Sequence, residues 1–147
     1  MAFEPVDFAG GETYDGDTVY KGGQGFRLYG IDADEMKEHG ILNQPTPSPQ
    51  AIKAKEYLDG VMSKEKVSFE DMGSDKYGRR VVRIIGEDGR DVNEELVRQV
   101  GVNTIDFDGV SPYHAAAVAF EDDVRAGRKI LDPAVPFNSG DYIPERT

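Results

Sequence analysis

The chain contains no cysteine. That removes disulfides, thiolate zinc sites and thiol nucleophiles together. Histidine is nearly as scarce, with only His39 and His114, and nothing in the sequence pairs with either. His39 reads as a solvated loop residue and His114 as a packing or capping residue. No apolar run approaches the roughly 18–20 residues of a membrane span. The start, Met1-Ala2-Phe3-Glu4-Pro5, has neither the basic residues nor the apolar core of a secretory signal. A soluble protein with no membrane partner is expected, cytoplasmic where it is made, with release or packaging into a particle left open.

Positive charge is also short. Lys and Arg number 17 against 28 Asp and Glu, a net charge of −11, which argues against avid nonspecific binding to nucleic acid. The deficit is uneven. Residues 1–20 carry five acids and no base, and residues 101–147 carry eight acids and four bases. The middle, 21–100, holds fifteen acids and thirteen bases, so a local basic cleft on an acidic body is feasible. Such a cleft should bind weakly and respond to salt. The 147 residues are enough for one compact domain, and no repeat or second domain is visible.

The first third reads as strands. An Asp15-Gly16 turn leads to the strand formers Thr18, Val19 and Tyr20. Lys21-Gly22-Gly23-Gln24-Gly25 is a glycine-rich turn, and residues 26–32 form the next strand of a hairpin, Phe26 and Leu28 alternating with Arg27 and Tyr29. Residues 3–14 can supply a strand before these. The connection over 36–49 contains Pro45, Pro47 and Pro49, and loops of that length in small domains are often functional. Ser48-Pro49 opens a helix, serine capping and proline in first position. Ala51, Ala54, Leu58 and Val61 share one face of it. Strands follow at 66–71 and 79–86. Asn93 is expected to cap a short helix over 94–100, stopped by Gly101. Ser111-Pro112 opens a last helix reaching about Arg125, with Tyr113, Ala116, Ala117, Phe120 and Val124 inward. Three strands, a helix, two strands and two helices describe an α+β domain: a five-stranded OB-fold β-barrel with three α-helices.

Three segments carry the chemistry. Asp15-Gly16-Asp17 alone is weak, because Asp-Gly recurs at 59–60, 88–89 and 108–109 and is chiefly a turn signal. An EF-hand loop is excluded by the missing ligands and closing glutamate. Asp32-Ala33-Asp34-Glu35 adds three carboxylates at the end of a strand that carries Arg27. In a straight strand Arg27 and Asp32 lie roughly 15–17 Å apart, and they converge only if the chain bends. Asp75-Lys76-Tyr77-Gly78-Arg79 puts a guanidinium at the mouth of a strand, where it could grip a phosphate bidentately. Carboxylates for a hard cation, two arginines and a spare glutamate are what metal-assisted phosphodiester cleavage needs.

Taken together these segments resemble a staphylococcal-nuclease-like (thermonuclease) domain. The matching stretches are Asp15-Gly16-Asp17-Thr18-Val19, Phe26-Arg27-Leu28, Gly30-Ile31-Asp32-Ala33, Glu35, Asp75-Lys76-Tyr77-Gly78-Arg79, Asp91-Val92-Asn93-Glu94 and Leu96-Val97-Arg98-Gln99. They run in family order from about residue 12 to 100. The resemblance implies a single domain over 1–147, its motifs within about 12–130, followed by an extended tail over 131–147. It implies the OB barrel with three helices and a Ca2+-dependent endonuclease leaving 3′-phosphate and 5′-hydroxyl ends on DNA and RNA. Carried over, Asp17, Asp32 and the main-chain carbonyl of Ala33 hold the calcium ion. Glu35 is the general base, Arg27 and Arg79 grip the scissile phosphate, and Lys76 and Tyr77 contact the nucleotide's terminal phosphate.

The chain also departs from the family. Asp34 stands where proline is usual, and Asn103-Thr104-Ile105-Asp106-Phe107-Asp108 falls where family members often carry stacking tyrosines. Tryptophan, common near the end of the last helix, is absent, with Ile130 in its place. The rival reading is a catalytically weak or inactive barrel reused as a binding or structural module, favoured by the acidic surface and the missing tyrosines. Asp17, Arg27, Asp32, Glu35 and Arg79 together favour the enzyme, since a scaffold has no physical need for all five. A plain OB-fold oligonucleotide binder would expose aromatics on its strands, with Tyr20 and Tyr29 as candidates, and would line them with a basic groove.

Overall fold

Gly16 sets the first corner of the fold. A Cβ there would come within 2.3 Å of the Ala54 Cβ, so only glycine lets the helix pack onto the turn. The structure is a computed structural model, and it describes residues 3–33, 48–106 and 109–129. Strands β1 (Phe3–Val6), β2 (Glu12–Asp15), β3 (Thr18–Lys21), β4 (Gln24–Leu28) and β5 (Ile31–Asp32) precede helix α1 (Pro49–Lys64). Strands β6 (Val67–Ser74) and β7 (Arg80–Ile85) follow, then α2 (Val92–Glu95), which widens into a π turn over Leu96–Val100. Strand β8 (Asn103–Thr104) and helix α3 (His114–Arg125) complete the described chain.

The main sheet has the order β1-β6-β7-β4-β3-β2 and curls into a half-barrel; β5 and β8 pair apart from it. All pairings are antiparallel except β4 with β7. The alternation in β4 plays out as expected. Phe26 and Leu28 face the core and Arg27 faces the other way, because successive side chains in a strand point to opposite faces. Val19, Leu28, Val67 and Ile84 of the sheet share the buried core with Leu58 of α1 and with Leu96 and Val97 of the π turn. The α1 face read from the sequence is the buried one, with Met62 added. Ser48 Oγ accepts a hydrogen bond from Ala51 N at 3.1 Å, the expected cap.

Several expectations change. Residues 3–14 make two strands, since β1 runs along β6 while β2 pairs with β3. With β5 and β8 also separate, the described strands number eight, although the OB-type architecture with three helices stands. The strand expected over 26–32 breaks after Leu28. The cap of α2 is Asp91, whose carboxylate accepts from Glu94 N at 3.0 Å; Asn93 is buried and spends its amide elsewhere. Helix α3 starts at His114, two residues later than expected, because Ser111 Oγ accepts from Tyr113 N and Ser111 O from His114 N, closing a turn first. His114 itself is exposed and does not belong to the core.

Candidate active site

The break after Leu28 builds the site. Tyr29 N donates to Val82 O, and the chain then turns at Gly30 with φ +78°. A Cβ on Gly30 would lie 2.7 Å from the Tyr113 ring, so both the backbone conformation and the space require glycine. Asn93 fastens the bend: its Nδ2 donates to Tyr29 O and Val82 O, and its Oδ1 accepts from Ile84 N. The turn folds Asp32 back beside Arg27.

Arg27 then joins everything nearby. Its Nη1 donates to Ile31 O at 2.9 Å and Leu28 O at 3.2 Å and pairs with Asp17 Oδ2 at 3.3 Å. Its Nη2 reaches Asp32 Oδ1 at 3.3 Å. Asp17 is almost wholly enclosed, its carboxylate also accepting from Ala33 N at 2.8 Å and Thr18 Oγ1 at 2.9 Å. The Asp32 side chain is 61% exposed. Asp17, Arg27, Asp32 and Ala33 are therefore one cluster, with one carboxylate fixed and the other open to solvent.

The second arginine, Arg79, approaches from the turn that leads into β7. Its aliphatic stem crosses Gly25, two residues from Arg27 on the same face of β4 and so about 7 Å along the strand. Arg79 Nε pairs with Asp75 Oδ2 at 2.7 Å. Asp75 Oδ1 accepts the backbone N–H groups of Tyr77 and Arg79, each at 2.9 Å, which closes the turn. Burial would raise the Asp75 carboxyl, but the hydrogen bonds from Arg79 and Tyr77 outweigh it and hold it below the usual carboxylate range. Among the described residues the terminal nitrogens of Arg79 have no hydrogen-bond partner. Tyr77 is 71% exposed, with Lys76 Nζ 5.3 Å and Arg79 Cζ 5.5 Å from its ring centre.

Asp34, Glu35, His39 and Phe107 lie outside the described residues, as do Ile130 and the segment 131–147. Among the described residues no three acidic or imidazole side chains converge as a metal cage. Asp17 and Asp32 both meet the Arg27 guanidinium, and their carboxylate oxygens are the donor chemistry that fits a hard divalent cation. Two further acids matter in ways the motifs did not show. Asp15 is buried at the base of the Asp17 turn. Asp91 ties the α2 cap to Tyr113 Oη at 3.0 Å and to Arg83, which also meets Glu70 at 3.1 Å. Burial beside Asp91 drives the Tyr113 hydroxyl well above its ordinary range, so it stays protonated and donates.

Residues 25–129, more than half of the chain, match the Staphylococcal nuclease homologue family. The chain belongs to that family. The family is one of nuclease-type hydrolases, typically calcium-dependent. The matched segment contains Arg27, Asp32, Ala33, Lys76, Tyr77 and Arg79; Asp17 precedes it and joins through its ion pair with Arg27. No match was found among curated proteins. Among the described residues no helix is long and apolar enough to cross a membrane.

Proposed function

We propose that the protein is an endonuclease that hydrolyses phosphodiester bonds of DNA and RNA, leaving 3′-phosphate and 5′-hydroxyl ends. The observation that carries this reading is the Arg27 guanidinium seated between the Asp17 and Asp32 carboxylates, one residue before Ala33 and three before Glu35. Asp17, Asp32 and the Ala33 carbonyl would hold Ca2+. When bound there, the cation supplies Lewis-acid polarisation of a phosphoryl oxygen and neutralises its charge. Glu35 takes the proton of the attacking water. As the P–O5′ bond breaks, the 5′ oxygen takes up a proton from solvent. Arg27 and Arg79 carry preorganised positive charge to the pentacoordinate phosphate. Lys76 and Tyr77 contact the terminal phosphate of the bound nucleotide.

The test is cleavage of single-stranded DNA at low salt, with calcium and then with chelator, beside Glu35→Gln. Calcium-dependent cleavage that drops about 10²- to 10⁴-fold in the variant is expected. Wild-type-like turnover in Glu35→Gln would remove the assigned base. A folded wild-type protein that cuts nothing would leave a binding or structural module.

A further inference from the structure

Tyr20 lies on the same face as both arginines. In the β3–β4 pairing Thr18 is opposite Arg27 and Tyr20 is opposite Gly25, so Tyr20 is one pleat along from the Arg27 position. Gly25 has no side chain to fill the space above it. Tyr20 Cε1 and Arg79 Cγ each come within 3.0 Å of the point where a Gly25 Cβ would stand, so the ring and the guanidinium stem share that gap. Tyr14 meets the Tyr20 ring edge-on, with centres 5.7 Å apart and planes at 86°, which steadies its orientation. The Tyr20 side of the sheet faces away from the core, and the residue is 36% exposed.

Single exposed aromatics need no explanation. This one borders a guanidinium whose terminal nitrogens have no hydrogen-bond partner among the described residues and whose Cζ lies 5.5 Å from the ring centre of a second exposed aromatic, Tyr77. Glu12, exposed and opposite Tyr20 on β2, makes the outer rim negative. A phosphate is repelled there and drawn toward Arg79 and Lys76; a neutral base is not repelled. Given the nuclease reading above, we infer that Tyr20 is a further substrate residue, its ring the stacking surface for an unpaired nucleobase next to the phosphate held by Arg27 and Arg79. A base can reach it only when it is free of a duplex, so Tyr20 gives the enzyme a preference for single strands.

The experiment compares steady-state cleavage of a single-stranded and a duplex oligonucleotide by the wild type, Tyr20→Val and Tyr20→Phe, with calcium. Valine removes the ring and keeps strand propensity; Tyr20→Thr repeats the test if valine disturbs folding on a melting curve. On the single strand KM should rise roughly 5- to 30-fold in Tyr20→Val, while kcat holds within about 3-fold. The duplex KM should not move, and Tyr20→Phe should behave as wild type. An active wild type whose single-strand KM is unchanged by Tyr20→Val overturns the stacking role and leaves the nuclease reading intact. Equal loss in Tyr20→Val and Tyr20→Phe overturns it too, since the ring would then not matter. A wild type that neither cuts nor binds single strands removes both readings.

Discussion

Arg27 and Arg79 are one residue type in one proposed role, yet the protein holds them in opposite ways. Arg27 is 16% exposed and meets two backbone carbonyls and two carboxylates. Arg79 is 28% exposed and, among the described residues, gives only its Nε to a carboxylate, on its own turn. Arg27 is therefore a brace as well as a site residue: without it the Leu28 and Ile31 carbonyls flanking the bend lose a donor and Asp17 is left as an enclosed charge without its cation. Arg79 is a presented group, fixed at its root by Asp75 and, among the described residues, without a hydrogen-bond partner at its tip. One guanidinium is spent on preorganising the cluster so that the other need not be.

The sharpest way to break this contrast is Arg27→Met. Leaving Asp17 enclosed without its cation should cost about 3 kcal/mol in urea unfolding, and cleavage should fall with it. If Arg27→Met unfolds at the wild-type midpoint, the brace is not one. Arg79→Lys should separate the two functions. It keeps the charge but loses the planar fork, so cleavage should drop on the order of 10²-fold, while stability moves by less than about 1 kcal/mol. Equal stability losses in the two arginine variants would erase the distinction drawn above.

The smallest effect concerns the root of Arg79. The Asp75 carboxyl is held below its ordinary value of 3.8, so its contribution to stability is complete above that pH and fades as pH falls through the lower folded value. Asp75→Asn should therefore lower the urea midpoint slightly at pH 6, and the difference should vanish once both carboxyl states are protonated. A gap between variant and wild type that widens on acidification would reverse the assigned sign.

A different arginine sets the scale for what a purely structural guanidinium looks like. Arg90 bonds Glu65 at 2.6 Å, Glu95 at 2.6 Å and Asp88 at 2.7 Å, tying the end of α1 to the turn before α2. The hydrogen bonds from Arg90 hold the Glu65 carboxyl below its usual range. Burial, with Glu95 beside it, pushes the Tyr57 hydroxyl up to about 12. Arg90 stands apart from the site cluster and is saturated with acids, which is how Arg27 would look if it had only a brace's work.

Much of this was legible in the chain order of the residues. The Asp15-Gly16 turn, the Ser48-Pro49 start of α1, the inward face of α1 and the alternation through Phe26, Arg27 and Leu28 are local patterns. Each is set by neighbours within a few residues, so periodicity and turn chemistry are enough to read it. The set Asp17, Arg27, Asp32, Ala33 and Arg79 was named as what the family resemblance of those motifs implies. What the tertiary structure decided was whether and how they meet. A straight strand would have kept Arg27 and Asp32 apart. The bend that joins them depends on Asn93, 64 residues from Tyr29, and on the Tyr113 ring against Gly30. The same long-range demand drew Asn93 away from capping α2 and left that work to Asp91. Tyr20 gained its meaning only from the empty Gly25 position across the sheet and the Arg79 stem that shares it. Local patterns report what a residue can do, and packing between distant segments selects which of those things it does.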